Sequence, residues 1–99
     1  MIIVSGVVPI RPEMRETAVQ AALEMARATA AEQGCLVYRF YADLEDPCLW
    51  RIYEEWETAE ALAAHFETPH MALFRQQLPA LVAGAGEIWR YEVSAAGRI

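Results

Sequence analysis

The chain has 99 residues, of which 56% are hydrophobic and 22% are charged, and its formal net charge is −6 at pH 7. A chain of this length supports one hydrophobic core, so we expect a single domain. All eight basic residues are arginines scattered singly among 14 acidic residues, which argues against the clustered positive surface that nucleic-acid binding requires.

The chain opens with an apolar run that ends at Pro9 and has no basic residue ahead of it. The run is too short to span a bilayer and lacks the features of a signal peptide, so a buried β-strand from Ile2 to Val8 is predicted. We therefore expect no membrane association and a cytoplasmic protein, in which Cys35 and Cys48 remain free thiols.

A long helix is predicted from Pro12 to about Gln33. Pro12 suits the first helical position, and Gly34 is favourable just beyond a helix end. Between them a narrow apolar stripe repeats every three or four residues, as is typical of a helix packed on one side: Met14, Ala18, Ala21, Met25 and Ala28.

Two further strands are predicted at 35–42 and 49–56, joined by a turn that is rich in acidic residues and contains Pro47. In both strands, large apolar or aromatic side chains occur at positions that point to either side of the sheet. A strand that is apolar on both sides needs cover on both sides.

The last third of the chain predicts two short helices and a strand. Thr58 is a suitable N-cap for a helix through Phe66, and residues 68–69 repeat such a start for a second helix. Pro79 is expected to kink or end that helix near Leu78. The final strand is predicted at 87–94.

The predicted order is β-α-β-β-α-β, which favours an α+β, ferredoxin-like fold with an antiparallel sheet and both helices on one face. Those helices leave the apolar residues of the other sheet face uncovered. A second copy of the chain is the simplest cover, so the pattern predicts a homodimer joined through the sheet faces.

Several segments, in this order and spacing, resemble the antibiotic biosynthesis monooxygenase family, small dimeric α/β barrel proteins that include quinol monooxygenases. The segments are Gly34–Tyr41, Glu54–Trp56, Ala61–Phe66, Thr68–Phe74 and Glu87–Val93. The resemblance implies one antibiotic biosynthesis monooxygenase domain at 2–93, followed by a tail at 94–99.

The resemblance also implies an enzyme that oxidises a quinol-, anthrone- or polyketide-like aromatic with O₂, without metal, flavin or haem cofactors. The chemistry requires little of the protein, because a deprotonated phenol is a far better reductant than the phenol and can pass an electron to O₂ directly. Some relatives degrade haem with an Asn, a His and a Trp. This chain contains no Asn, so we do not expect haem degradation.

His65 and Trp56 are the predicted catalytic residues. The family pattern places a histidine at His65, and its imidazole would act as a general base or hydrogen-bond partner for the phenol. The alternative is a structural histidine bonded to Glu54 or Glu55. Trp56 ends a strand just before the helix of His65, so the two rings are predicted to meet beside one cavity, where Trp56 would stack on a substrate or fill the core.

Predicted substrate-binding residues are His70, Phe66, Phe74 and Tyr53. His70 has the alternative of bonding a loop carbonyl. No metal site is expected, because His65 and His70 are separated by Pro69 and share no helix face.

Two acidic residues in the third strand, Glu54 and Glu55, are adjacent and therefore point to opposite faces of the sheet. They are not expected to form an acid–base pair. One of them is expected to meet a cross-strand arginine, Arg39 or Arg90. A separate alternative for the whole protein is a non-catalytic dimer on the same fold that binds a small molecule or haem.

Overall fold

A computed structural model describes residues 1–99 and confirms the predicted α+β, ferredoxin-like fold. A four-stranded antiparallel sheet carries the helices on one face, which we call the inner face; the opposite face is the outer face. The elements are β1 (Ile2–Pro9), α1 (Arg15–Ala30, preceded by a 3₁₀ turn at Pro12–Met14), β2 (Cys35–Ala42), β3 (Leu49–Trp56), α2 (Ala59–Phe66), α3 (Pro69–Leu81) and β4 (Glu87–Glu92).

The strand order is β2-β3-β1-β4, so β3 and β1 occupy the centre of the sheet. Glu54 of β3 lies opposite Val4 of β1 and Tyr38 of β2. Because side chains alternate along a strand, this register puts Tyr38, Glu54 and Val4 together on the inner face. A polar group therefore sits in the middle of an otherwise apolar surface.

Helix α1 packs on the sheet largely through small residues, since Ala18, Ala21 and Ala22 are buried, together with the larger Met25. Small side chains let the helix approach the strands closely. Two clusters of buried residues result: Ile2, Val4, Met25, Tyr38, Ile52, Trp56 and Leu62 form one, and Ile10, Ala18, Ala21, Ala22, Trp50 and Leu81 form the other.

Helix α1 ends at Ala30, three residues before the predicted end at Gln33. The backbone N–H of Glu32 bonds to the carbonyl of Thr29 (2.9 Å), a tightened last turn that stops the helix. Gly34 then adopts φ = +84°, the left-handed conformation that favours glycine. Glu32 therefore lies in the turn between α1 and β2 rather than in the helix.

The two predicted threonine caps are confirmed. Thr58 Oγ1 accepts from the N–H of Ala61 (3.1 Å), and Thr68 Oγ1 accepts from the N–H of Met71 (3.3 Å). The Thr68 hydroxyl also donates to the carbonyl of His65 (2.8 Å), which ties the end of α2 to the start of α3. The corner between these helices is thereby fixed.

Two predicted boundaries in the last third were wrong. Helix α3 continues through Pro79 to Leu81, because a proline in the last turn removes few helical hydrogen bonds. Strand β4 ends at Glu92, where its pairing with β1 ends. None of the helices is long and apolar enough to cross a membrane.

Large side chains remain exposed on the outer face, as the pattern of the strands predicted. Tyr41, Trp89 and Tyr91 are each exposed by more than half. Trp89 and Tyr53 flank Ser5 from the two neighbouring strands, so aromatic rings from adjacent strands share this surface.

Candidate active site

A cavity of about 180 Å³ lies between the inner face of the sheet and the helices α2 and α3. Its lining is almost wholly apolar, with Phe66, Met71, Phe74 and Leu78 contributed by the two helices. Three polar side chains also reach it: Tyr38, Glu54 and His65. An apolar space with a few convergent polar groups has the general character of a small-molecule site.

His65 is the best-enclosed of these polar groups, with 1% of its surface exposed. Its Nδ1 lies 2.8 Å from Oε2 of Glu32, and Nε2 of His70 lies 2.7 Å from the same oxygen. The alternative interpretation named Glu54 or Glu55 as the structural partner of His65, and neither residue contacts the imidazole in this way. The early end of α1 supplies Glu32 instead, from a position 33 residues away in the chain.

His65 and His70 share no helix face, as predicted, because they lie on different helices. The Thr68 corner nevertheless turns α3 back on α2 and brings both rings to one carboxylate, a meeting that the sequence did not indicate. Their ring centroids are 6.1 Å apart. Two helices joined at a tight corner can share a site that neither helix face contains alone.

The Trp56 ring packs against His65, with 4.9 Å between ring centroids, as predicted. Trp56 is completely buried and is not among the cavity-lining residues. Its Nε1–H donates to Oε1 of Glu54 (2.8 Å). Trp56 therefore lies behind His65 and holds both that ring and the Glu54 carboxyl group in place.

Glu54 is a candidate that the sequence reasoning missed. Burial raises the pKa of its carboxyl group to about 7, against the lowering effect of the Trp56 N–H, and the nearby charge of Glu32 raises it further. Glu54 can therefore gain or lose a proton near neutral pH. The available signal was its position between Ile52 and Trp56 on the strand face that packs inward.

The expected arginine partners of these glutamates are absent. Glu54 is bonded to Trp56, and Glu55, on the outer face, accepts a hydrogen bond from the Tyr53 hydroxyl (2.6 Å). Burial, with the charges of Glu54 and Glu32, also raises the pKa of Tyr38. The Tyr38 hydroxyl thus remains a neutral donor at the cavity wall.

The remaining predicted binding residues have different positions. Phe66 and Phe74 line the cavity, and Phe66 is 41% exposed, which places it at the edge of the cavity. His70 is partly exposed and contacts Glu32 without lining the cavity. Tyr53 lies on the outer face, so the structure does not bring it together with His65.

Glu32, His65 and His70 are the residues that could hold a metal ion, since their ligand atoms lie within 4.8 Å of one another. Ligands around a tetrahedral zinc ion are roughly 3.3 Å apart, given bond lengths of about 2.0–2.1 Å. The Glu32 oxygen is only 2.7 and 2.8 Å from the two nitrogens. These are hydrogen-bond distances, and a metal would require the three groups to move apart.

A larger groove of about 690 Å³ runs between α1 and the edge strand β2. Its charged lining residues are Arg15, Arg27 and Arg39, and no carboxyl group or imidazole faces it. The groove is more open than the cavity and has no group that would exchange a proton near neutral pH. The smaller cavity is therefore the better candidate for acid–base chemistry.

The fold and the site together define a class: ferredoxin-like α+β domains with an apolar cavity, lined by a few titratable side chains, between the sheet and the helices. The family model for antibiotic biosynthesis monooxygenases matches residues 1–77. The chain belongs to the antibiotic biosynthesis monooxygenase family, as its resemblance predicted.

Individual proteins show the same relationship. A crystal structure of “a putative antibiotic biosynthesis monooxygenase” from Deinococcus radiodurans is 30% identical, covers 100% of this chain and 98% of that one, and has a TM-score of 0.92. “Putative monooxygenase YcnE” of Bacillus subtilis is 24% identical over 95% of this chain and 99% of its own length. “Uncharacterized protein sll1783” of Synechocystis is 29% identical over 94% of this chain, which spans 63% of that relative's length.

Proposed function

We propose that residues 2–93 form a cofactor-independent monooxygenase that oxidises a quinol-like aromatic with O₂ in the cavity on the inner face. One observation carries the proposal: a buried imidazole, His65, is held by a carboxylate at the wall of an apolar cavity. Family membership and the monooxygenase names of the relatives support it.

The size of the cavity favours a small substrate. An apolar cavity of about 150 Å³ in another protein accommodates benzene. The 180 Å³ cavity therefore suits a single aromatic ring with short substituents. Three fused rings, as in an anthrone, would require the helices to move. A hydroquinone is thus the preferred substrate among the aromatic classes that the family suggests.

The proposed reaction begins with transfer of a phenolic proton to His65. The phenolate then passes an electron to O₂, and the two radicals combine at a ring carbon. For a simple hydroquinone, one oxygen atom enters the ring, the other leaves as water, and the product is a hydroxyquinone. All four electrons that reduce O₂ come from the substrate, so the balance requires no external reductant.

Burial alone raises the pKa of a phenol, as it does for Tyr38, so the polar groups at the cavity wall must offset this cost for a phenolate to form. The Tyr38 hydroxyl is a neutral donor, and the raised pKa of Glu54 keeps part of that carboxyl group uncharged near pH 7. A fully ionised carboxylate at that wall would repel the phenolate. The apolar side chains of α3 exclude water, which strengthens the remaining electrostatic interactions.

Oxygen uptake tests the proposal directly. Purified protein, treated with a chelator and given no cofactor, should consume O₂ with one-ring hydroquinones and more slowly with anthrones. Replacing His65 with Gln or Ala should lower kcat by roughly 10²-fold or more, the usual contribution of a general base. Glu60→Gln, an exposed change on the same helix, is the matched control and should leave the rate unchanged.

Three results would count against this function or its mechanism. Unchanged turnover in both His65 variants would remove His65 from the mechanism. Tight binding of hydroquinones, seen by calorimetry, with no oxygen uptake for any of them would favour the non-catalytic binding dimer instead. A Soret band on titration with haem, together with no turnover, would point to haem binding.

We also propose that the working unit is a homodimer joined through the outer faces. The half-exposed aromatic rings Tyr41, Trp89 and Tyr91 support this assembly, because soluble monomers seldom leave such a surface uncovered. Light scattering at micromolar concentration should give twice 11.1 kDa, and Trp89→Glu should reduce this to the monomer mass. A wild-type monomer would refute the dimer.

A further inference from the structure

One oxygen atom of Glu32 lies within hydrogen-bond distance of two histidines, but of different ring nitrogens: Nδ1 of His65 and Nε2 of His70. We infer that Glu32 is a positioning residue that fixes opposite tautomers in the two rings and so makes Nε2 of His65 the proton acceptor of the cavity. The catalytic part of this inference rests on the proposed function; the tautomers do not.

The tautomers follow from the chemistry of the carboxylate. An ionised carboxylate has no hydrogen to donate, so each nitrogen that faces it must carry the hydrogen of the bond. His65 is therefore protonated at Nδ1 and His70 at Nε2. In a neutral imidazole the other nitrogen keeps a lone pair, and in His65 that nitrogen is Nε2.

The free nitrogen of His65 is the one available to a substrate. Nδ1 is occupied by Glu32, and Nε2 has no hydrogen-bond partner in the protein although the side chain lines the cavity. Trp56 and Tyr38 pack against the ring at centroid distances of 4.9 and 5.5 Å, and these contacts prevent it from turning freely. Without Glu32, the two nitrogens would compete for the proton.

Every other titratable group near His65 is a weaker determinant of its tautomer. On β2, burial raises the pKa of Tyr38 and raises that of Cys35 to about 11, so both are neutral at pH 7. On β3, Glu54 is bonded to Trp56. On α3, His70 meets the same oxygen of Glu32. Glu32 is thus the only carboxylate within hydrogen-bond distance of the His65 ring.

His70 has a supporting part in this arrangement. Its bond to Oε2 of Glu32 restrains the carboxylate from a second direction, and its partly exposed ring contacts solvent. We therefore assign His70 as a second positioning residue rather than a ligand of the substrate.

The test is nitrogen NMR of the unmodified protein labelled with ¹⁵N-histidine, at a pH where both rings are neutral. We expect His65 to carry its proton on Nδ1 and His70 on Nε2. Free histidine favours Nε2–H, so the Nδ1–H form of His65 is diagnostic. Finding His65 protonated on Nε2 would overturn the inference, whatever the activity of the protein.

Variants then test the catalytic part. Glu32→Ala should abolish the Nδ1–H preference of His65 and lower kcat by roughly 10²-fold, with KM changed much less, because it disturbs the base and not the apolar walls. Glu32→Gln retains an oxygen acceptor and should restore much of the tautomer and part of the rate. Glu67→Gln, an exposed acid beyond α2, is the matched control.

The outcomes separate this inference from the proposed function. If His65 has the Nδ1–H form but no hydroquinone is oxidised, the proposed function fails and the tautomer assignment stands. If the protein is active and Glu32→Ala is folded but retains wild-type kcat, the positioning role is refuted and the function stands.

Discussion

Glu54 and Glu55 are neighbours in β3, but the two faces of the sheet give their carboxyl groups different properties. Glu54 points to the inner face, where burial raises its pKa to about 7. Glu55 points to the outer face and accepts a hydrogen bond from Tyr53, which raises the pKa of the tyrosine to about 12. On the inner face the pKa of the carboxyl group itself is raised, and on the outer face the carboxyl group raises the pKa of its hydrogen-bond partner.

Under the proposed function, this contrast assigns different tasks to the two faces of one small sheet. The inner face combines burial with a few polar groups, which is the setting that shifts proton affinities toward functional values. The outer face carries half-exposed rings and polar contacts, such as Arg51 Nη1 to Ser5 Oγ (2.9 Å), which suit recognition of another surface. Because side chains alternate along a β-strand, adjacent residues of one short segment supply both faces.

The largest expected difference between the faces concerns their tryptophans. Trp56→Ala should lower the free energy of unfolding by about 3–5 kcal/mol, because it leaves a cavity and removes the hydrogen bond of a buried carboxyl group. Trp89→Ala, on the outer face, should cost less than about 1 kcal/mol in the monomer. Urea unfolding at concentrations where light scattering shows monomers would measure both. Equal losses would show that the faces are not energetically distinct.

A smaller difference should appear in the pH dependence of stability. Between pH 4.5 and 7 the folded protein holds a proton on Glu54 that the unfolded chain releases, so stability should fall as pH rises across this range. The shift from 4.5 to about 7 corresponds to about 3 kcal/mol. Glu54→Gln should remove that part of the slope in urea titrations at a series of pH values.

The outer-face control is Glu55→Gln, which should leave in place the fall in stability between pH 4.5 and 7 that Glu54 causes. It should instead lower the pKa of Tyr53 from about 12 toward 10, since the bond from the tyrosine hydroxyl to the carboxylate disappears. Ultraviolet absorbance of the tyrosinate reports this change. A pH slope that Glu55→Gln flattens as much as Glu54→Gln does would contradict the assignment of the buried group.

Much of the fold could be predicted from local patterns. The bounds of β2 and β3 were predicted to the residue, because both are short runs rich in aromatic and apolar residues and a proline-containing turn separates them. The caps at Thr58 and Thr68 also follow from local chemistry. The meeting of His65 with Trp56 could be predicted because the two residues flank one strand–helix connection.

The site was less predictable because its key contacts join distant parts of the chain. Ala31, Glu32 and Gln33 are all compatible with a helix, so nothing local indicates that α1 ends at Ala30. Glu32 reaches His65 only because the tertiary structure stops that helix. Glu54 was visible as an acid on an inward position, but its raised pKa depends on burial, which the sequence does not specify.

Gly34 has a consequence for which substitutions this chain tolerates beside the site. A methyl group there would lie 2.5 Å from Cβ of Ala61, and the φ of +84° already disfavours any other residue. The carbonyl of Gly34 also accepts a hydrogen bond from the N–H of Glu57 (2.8 Å). This bond ties the turn after α1 to the segment that leads into α2. We expect the added methyl group to push the turn that carries Glu32 away from the helix that carries His65. The Glu32–His65 hydrogen bond would then be lost although neither residue is changed.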